Sequence, residues 1–150
     1  MKITLLENSK IRYSGADRNN FVLRGAELAM INYAEELSKL RHKITLINNC
    51  KREITYKGVN YRNINNINEK IITDFAIANS DANLFKYVIS KRNYILSNSI
   101  QSFEKFIRNK QLLPFFKYKP IVLCFSKYQY NKRSYITSFF GKKLIIPSID

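Results

Sequence analysis

The hydrophobic pattern changes period twice within the first 47 residues, and that alternation restricts the fold more than any other feature. Met1 to Leu6 is a short, nearly continuous apolar run, the signature of a buried strand when polar loops flank it. From Gly25 the apolar residues Ala26, Met30, Tyr33, Leu37 and Leu40 recur at spacings of four and three, which places them on one helical face. Glu35, Glu36 and Lys39 fall on the other face. Arg41 and His42 end the helix, and Lys43-Ile44-Thr45-Leu46-Ile47 follows as a strand rich in β-branched residues. Strand, long loop, helix and strand form a βαβ unit, whose two strands should be parallel and joined by a right-handed crossover.

Strand and helix signals continue to alternate. Ile54 to Tyr56 and Val59 to Tyr61 flank Lys57-Gly58 as a hairpin or strand edge, and Asn63 to Asn68 reads as a loop. Phe75 to Ala78 reads as a strand, Ala82 to Ser90 as a helix capped by Ser80 or Asp81, and Tyr94 to Leu96 as another strand. Ile100, Phe103, Phe106 and Ile107 share a helical face that Pro114 should interrupt. Ile121 to Phe125 is a strand, Ser126 caps a helix reaching about Ser138, and Leu144 to Ile146 is a last strand before Pro147. The expected fold is therefore α/β, a Rossmann-like three-layer sandwich with a mostly parallel sheet, in one domain spanning residues 1–150.

Charge is the unusual quantity. Lys and Arg total 26 against 11 acids, a formal net charge of +15. Residues 1–90 hold 14 basic and 9 acidic side chains and residues 91–150 hold 12 and 2, so two thirds of the surplus lies in the last two fifths of the chain. A basic face toward phosphate, nucleic acid or anionic lipid follows from that asymmetry. Asn, Ile and Lys, all with AT-rich codons, supply 54 of the 150 residues, so nucleotide composition accounts for a share of the lysines. Cys50 and Cys124 are too few for a disulfide framework and lack partners at metal-ligand spacing, which makes them small core residues in a reducing compartment. No signal peptide and no run of 18 apolar residues occurs, so the expectation is a cytoplasmic protein, able to sit peripherally at the inner membrane face.

Open parallel sheets bind ligands beyond the carboxyl ends of their strands. That places the site at the loop of residues 7–24 and at Arg24-Gly25-Ala26-Glu27, where the first helix starts. Free N–H groups at a helix N-terminus, a glycine and a guanidinium suit a phosphate or diphosphate. Neither G-x-G-x-x-G nor G-x-x-x-x-G-K-[ST] is present, which removes the main support for nicotinamide cofactors and P-loop chemistry.

Four segments carry a family resemblance. Gly25-Ala26-Glu27 through Leu37 to Ile47 resembles the glycine-alanine-glutamate helix and following strand that open many retaining glycosyltransferases of family 4. Asp74-Phe75-Ala76-Ile77-Ala78-Asn79-Ser80 is similar to that family's strand ending in a His-bearing loop. Val122 to Gln129 resembles its apolar strand and Ser-initiated helix, and Ile145-Ile146-Pro147-Ser148-Ile149-Asp150 resembles the Ile-Pro-Asn-Gly-Ile-Asp segment that leads to the second domain. The matches occur in family order along almost the whole chain.

The resemblance implies the N-terminal half of a GT-B fold, the half that mainly holds the acceptor, in an enzyme that transfers a sugar from a nucleotide-sugar with retention of configuration. It implies no metal and no cofactor besides the donor substrate, an acceptor that is lipid-linked or a polysaccharide, as in lipopolysaccharide biosynthesis, and a nucleotide-binding C-terminal domain outside these residues. Such a half should have little activity alone. Carried across by position, Arg24 and Gly25 meet the donor diphosphate, while Arg12, Asp17, Arg18, Asn79, Ser97 and Asn98 fall to the acceptor. Asn79 and Ser97-Asn98 stand where the family often has His, and Asn cannot shuttle a proton near neutral pH. His42, the only His, matches a structural turn position, and Asp17, Asp74 and Asp81 are too scattered to read as paired catalytic carboxylates.

Residues 103–119 interleave Phe and Leu with Lys105, Arg108, Lys110, Lys117 and Lys119, a composition suited to an anionic membrane surface or to a core-facing helix with a solvated basic face. The alternative reading of the whole chain is a non-catalytic Rossmann-like module that binds a polyanion such as nucleic acid.

Overall fold

The computed structural model describes residues 1–19, 22–96, 103–124, 126–132 and 143–145. The βαβ unit forms where the sequence puts it: β1 (Lys2–Leu6), α1 (Gly25–Lys39) and β2 (Lys43–Asn48), with β1 and β2 parallel. The hairpin is real as well. β3 (Ile54–Tyr56) pairs antiparallel with β4 (Val59–Asn63) across Lys57 and Gly58, whose φ values of 47° and 78° are those of a type I′ turn. A Cβ on Gly58 would also lie 2.0 Å from Ser38 Oγ. Gly58→Ala is therefore expected to cost about 1–2 kcal/mol in left-handed strain alone, read as a lowered urea midpoint at unchanged slope.

Further along, β5 (Ile71–Asn79) and β6 (Val88–Leu96) are each nine residues long and pair in parallel, extending well beyond the apolar cores Phe75–Ala78 and Tyr94–Leu96. This corrects the expected helix over 82–90. Only Ala82–Tyr87 is helical, as a 3-10 turn capped by Asp81, whose carboxylate accepts the Asn83 N–H at 3.0 Å. Val88, Ile89 and Ser90 instead enter β6, because Ile71, Ile72 and Thr73 offer them a complete ladder of backbone partners. A second correction concerns Pro114. It lies inside α3 (Leu112–Tyr118), in the first turn, where a missing N–H forfeits no intrahelical bond. The interruption comes earlier, where α2 (Phe103–Arg108) gives way to Lys110 at φ 57°. β7 (Ile121–Cys124), α4 (Lys127–Lys132) and β8 (Lys143–Ile145) complete the order. The Tyr130 N–H donates to the Ser126 carbonyl, as the expected helix start requires, and the continuation toward Ser138 lies outside the described residues.

Among the described residues eight strands form one sheet in the order β3-β4-β2-β1-β5-β6-β7-β8, parallel throughout except for β3. Successive parallel strands run outward from β1 on one side and then on the other, which is the Rossmann-type arrangement with its switch point between β1 and β5. Side chains alternate across the sheet with period two. Ile3, Leu5, Ile44 and Leu46 pack with Met30 and Ala34 of α1, whereas Leu6, Ile47, Ala76, Ala78, Ile95, Val122 and Cys124 pack with Phe85, Phe106 and Phe115 on the opposite face. Two apolar layers around one sheet make three layers in all. Cys50 and Cys124 are both buried, and neither is in a disulfide. Among the described residues no helix is long and apolar enough to cross a membrane.

Candidate functional site

The parallel strands β1 and β5 are neighbours, but the chain leaves their carboxyl ends in opposite directions, which opens a hollow between them. Its volume is about 490 Å³, and its walls are Glu7 and Asn8 after β1, Ala26 in the first turn of α1, Asn79, Ser80 and Asp81 at the end of β5, and Asn109 and Gln111 between α2 and α3. A larger hollow of about 700 Å³ lies at the other end of the sheet, around Lys2, Lys43 and Thr73 near the amino ends of the strands. The switch-point hollow is the better candidate because loops of independent length converge there, and with them side chains that the sheet does not need for packing.

Glu7 is the first residue past β1 and is held in place by its own N–H, which donates to the Ile47 carbonyl at 3.0 Å. Its side chain is 4% exposed, yet both carboxylate oxygens are used: the Tyr13 hydroxyl donates to Oε2, and Asn79 Nδ2 donates to Oε1 at 3.1 Å. Burial pushes the Glu7 pKa up to about 7 from 4.5, the bonds from Tyr13 and Asn79 oppose that rise, and the charge on Glu27 adds to it. Tyr13 is fully buried and its phenol is pushed well above its usual value, first by burial and then by the Glu7 charge. Glu7 thus spans protonated and ionised forms around neutral pH, inside the hollow and against a phenol that stays protonated.

A second buried carboxylate anchors the loop. Glu27 Oε1 accepts from the Ser9 hydroxyl at 2.8 Å and Oε2 from the Arg24 N–H at 3.1 Å, so residues 7–24 are tied to the start of α1. Arg24 itself is the N-cap, and its side chain, which has no acceptor, makes no cap hydrogen bond to the first-turn N–H groups beside Ala26. Across the hollow, Gln111 is 3% exposed and acts as a clamp, accepting the Ala82 N–H at 2.8 Å and donating to Asp81 Oδ1 at 2.9 Å. Ser80 turns the chain at φ 61°, its N–H donating to the Leu96 carbonyl at 2.9 Å.

The structure sorts the residues expected from sequence into separate places. Asn79 lines the hollow. Arg24 and Gly25 are exposed and do not line the hollow, although the next residue, Ala26, does; a Cβ on Gly25 would meet nothing within 4 Å, so the fold does not itself require glycine there. Arg18 is committed elsewhere, its guanidinium bonded to Glu35 Oε2 and Asn32 Oδ1 at 2.6 Å each on the flank of α1. Asp17 accepts the Ser14 N–H at 2.9 Å and lines a different, smaller hollow with Lys51 and Arg52. Arg12 is exposed and lends its charge to the surroundings of Cys50. Ser97 and Asn98 lie outside the described residues.

Asp17, Asp74 and Asp81 are indeed apart, Asp74 being paired with Lys91 at 3.1 Å toward the amino ends of the strands. The carboxylates that do converge are Glu7 and Glu27; the sequence places the site at their segments but assigns neither side chain a role. One signal was available for Glu7: it is an acid placed immediately after a nearly continuous apolar run, the position from which side chains reach a switch-point site.

Among the described residues the hollow is therefore lined by four carboxamides (Asn8, Asn79, Asn109 and Gln111), a hydroxyl and two acids, with no cationic side chain. No protein-family model, no curated protein and no solved structure matches the chain.

Proposed function

We propose that this chain is the acceptor-binding half of a retaining glycosyltransferase. The observation that carries the reading is the lining of the switch-point hollow, in which carboxamides and acids offer paired donors and acceptors to an uncharged polyhydroxyl ligand and, among the described residues, no side chain offers a positive charge to an anion. Such a surface suits a sugar. The donor diphosphate falls to the exposed Arg24 and Gly25, where the first-turn N–H groups of α1 and a guanidinium are available. Asn79 has the central place, because one amide both bonds Glu7 and borders the hollow. The nucleotide base would be held by a second domain, so transfer by these residues alone is expected to be negligible.

Saturation-transfer NMR tests the reading directly. Neutral oligosaccharides should receive saturation from the chain, and Asn79→Ala should reduce that signal at least fivefold, equivalent to the roughly 1 kcal/mol of one hydrogen bond, without unfolding the protein. No saccharide contact, or tight salt-sensitive binding of oligonucleotides at the hollow, would sink it in favour of a polyanion-binding module.

A further inference from the structure

The basic surplus and the exposed apolar surface meet on one side of the molecule. α3 is amphipathic: Pro114 and Phe115 face the core, while Leu113 is 77% and Phe116 53% exposed. Together with Lys86 from the 3-10 turn, and with Lys110 and Lys117, Leu113 and Phe116 border an open cleft of about 780 Å³ whose lining contains no acid among the described residues. Lys86 was not among the basic residues picked out from sequence, because it is far from the others along the chain. Of those that were, Lys110 and Lys117 line the cleft, Arg108 and Lys119 are exposed nearby in sequence, and the Lys105 side chain lies outside what is described.

We infer that this face docks on an anionic lipid bilayer, with Leu113 and Phe116 entering the acyl boundary and Lys86, Lys110 and Lys117 at headgroup level. Three observations fix the occupant. Lysines around apolar side chains match a negatively charged surface with hydrocarbon beneath it. A second copy of a chain with net charge +15 would bring like charge against this cleft. Single-stranded nucleic acid would match the lysines, but the most exposed apolar group is the aliphatic Leu113, which stacks on no base. The inference does not depend on what the hollow binds, although the two sites adjoin: Lys110 lines the cleft while its neighbours Asn109 and Gln111 line the hollow.

Flotation of the chain with phosphatidylcholine vesicles, with and without phosphatidylglycerol, tests it. The chain should float only with the anionic vesicles and be released by salt. Leu113→Ser with Phe116→Ser should lower partitioning at least tenfold, and Lys110→Glu with Lys117→Glu at least about 25-fold, given roughly fivefold per basic residue at an anionic surface. All variants should keep the parent melting temperature, and Lys57→Glu on the β3–β4 turn should float like the parent. Equal binding to neutral vesicles, indifference to the Leu113 and Phe116 changes, or an equal loss with Lys57→Glu would overturn the inference. So would stronger retention by a single-stranded oligonucleotide through the same lysines, or a dimer in sedimentation that the Leu113 and Phe116 changes dissociate.

Discussion

Phe115→Ala is expected to destabilise the protein by about 3–5 kcal/mol, a large part of the 5–15 kcal/mol typical of a domain this size. The ring is fully buried, meets Phe106 edge to face at 4.8 Å between centroids, and belongs to the apolar layer that also holds Phe85, Ala78 and Val122. Truncation removes both the transfer free energy and the edge-to-face contact, and it leaves a cavity under a helix of only seven residues. Leu113→Ala, two positions earlier on the same helix, should change stability by no more than about 0.5 kcal/mol, since its side chain is 77% exposed. Urea denaturation of the two variants checks the contrast. Similar midpoints would mean that α3 does not pack on the sheet as described.

The second large effect is a pH dependence centred on Glu7. Its pKa rises from 4.5 to about 7 on folding, so below pH 4.5 both states hold the proton and the native state is not penalised by this group. Between those values the unfolded chain releases the proton while the folded one retains it, and stability declines as pH rises by about 3 kcal/mol in total. Above about pH 7 the contribution is flat. Glu7→Gln keeps the shape and removes the titration, so it should be close to neutral at pH 5 and should raise the melting temperature at pH 8 by roughly 6–12 °C. A parallel pair of stability curves from pH 5 to pH 8 would show that Glu7 is not the titrating group.

How much of this was legible from the sequence depends on the range of the forces involved. β1, α1 and β2 were readable because each declares itself within its own residues, through a short apolar run or a spacing of three and four. The β3–β4 turn was readable because Lys57-Gly58 sits between two β-rich runs and glycine tolerates a positive φ. The start of β6 was not. Val88 to Ser90 have no strand pattern of their own to outweigh the preceding helical one, and they become a strand because Ile71 to Thr73 lie alongside.

The site divides in the same way. Asn79 was legible, since it is the polar residue that ends the apolar run Phe75 to Ala78. Arg18 looked like a ligand-binding cation because nothing in the sequence shows that Glu35 and Asn32, a full helix flank away, will engage it. Glu7 and Glu27 are twenty residues apart and Gln111 and Asp81 thirty, and each pair acquires its chemistry only through a contact that folding creates.

By itself the sequence determined the alternation of strands and helices, the parallel sheet that follows from it, and the concentration of positive charge after residue 90, because periodicity and charge are local sums over neighbouring residues. Only the tertiary structure decided that Glu7 would be desolvated against Tyr13 and Asn79, that amides and acids would gather around the hollow, and that Lys86 would join Lys110 and Lys117 around Leu113 and Phe116. Burial and juxtaposition depend on which distant segments share a face of the sheet, and strand order, which sets that, is a property of the assembled chain.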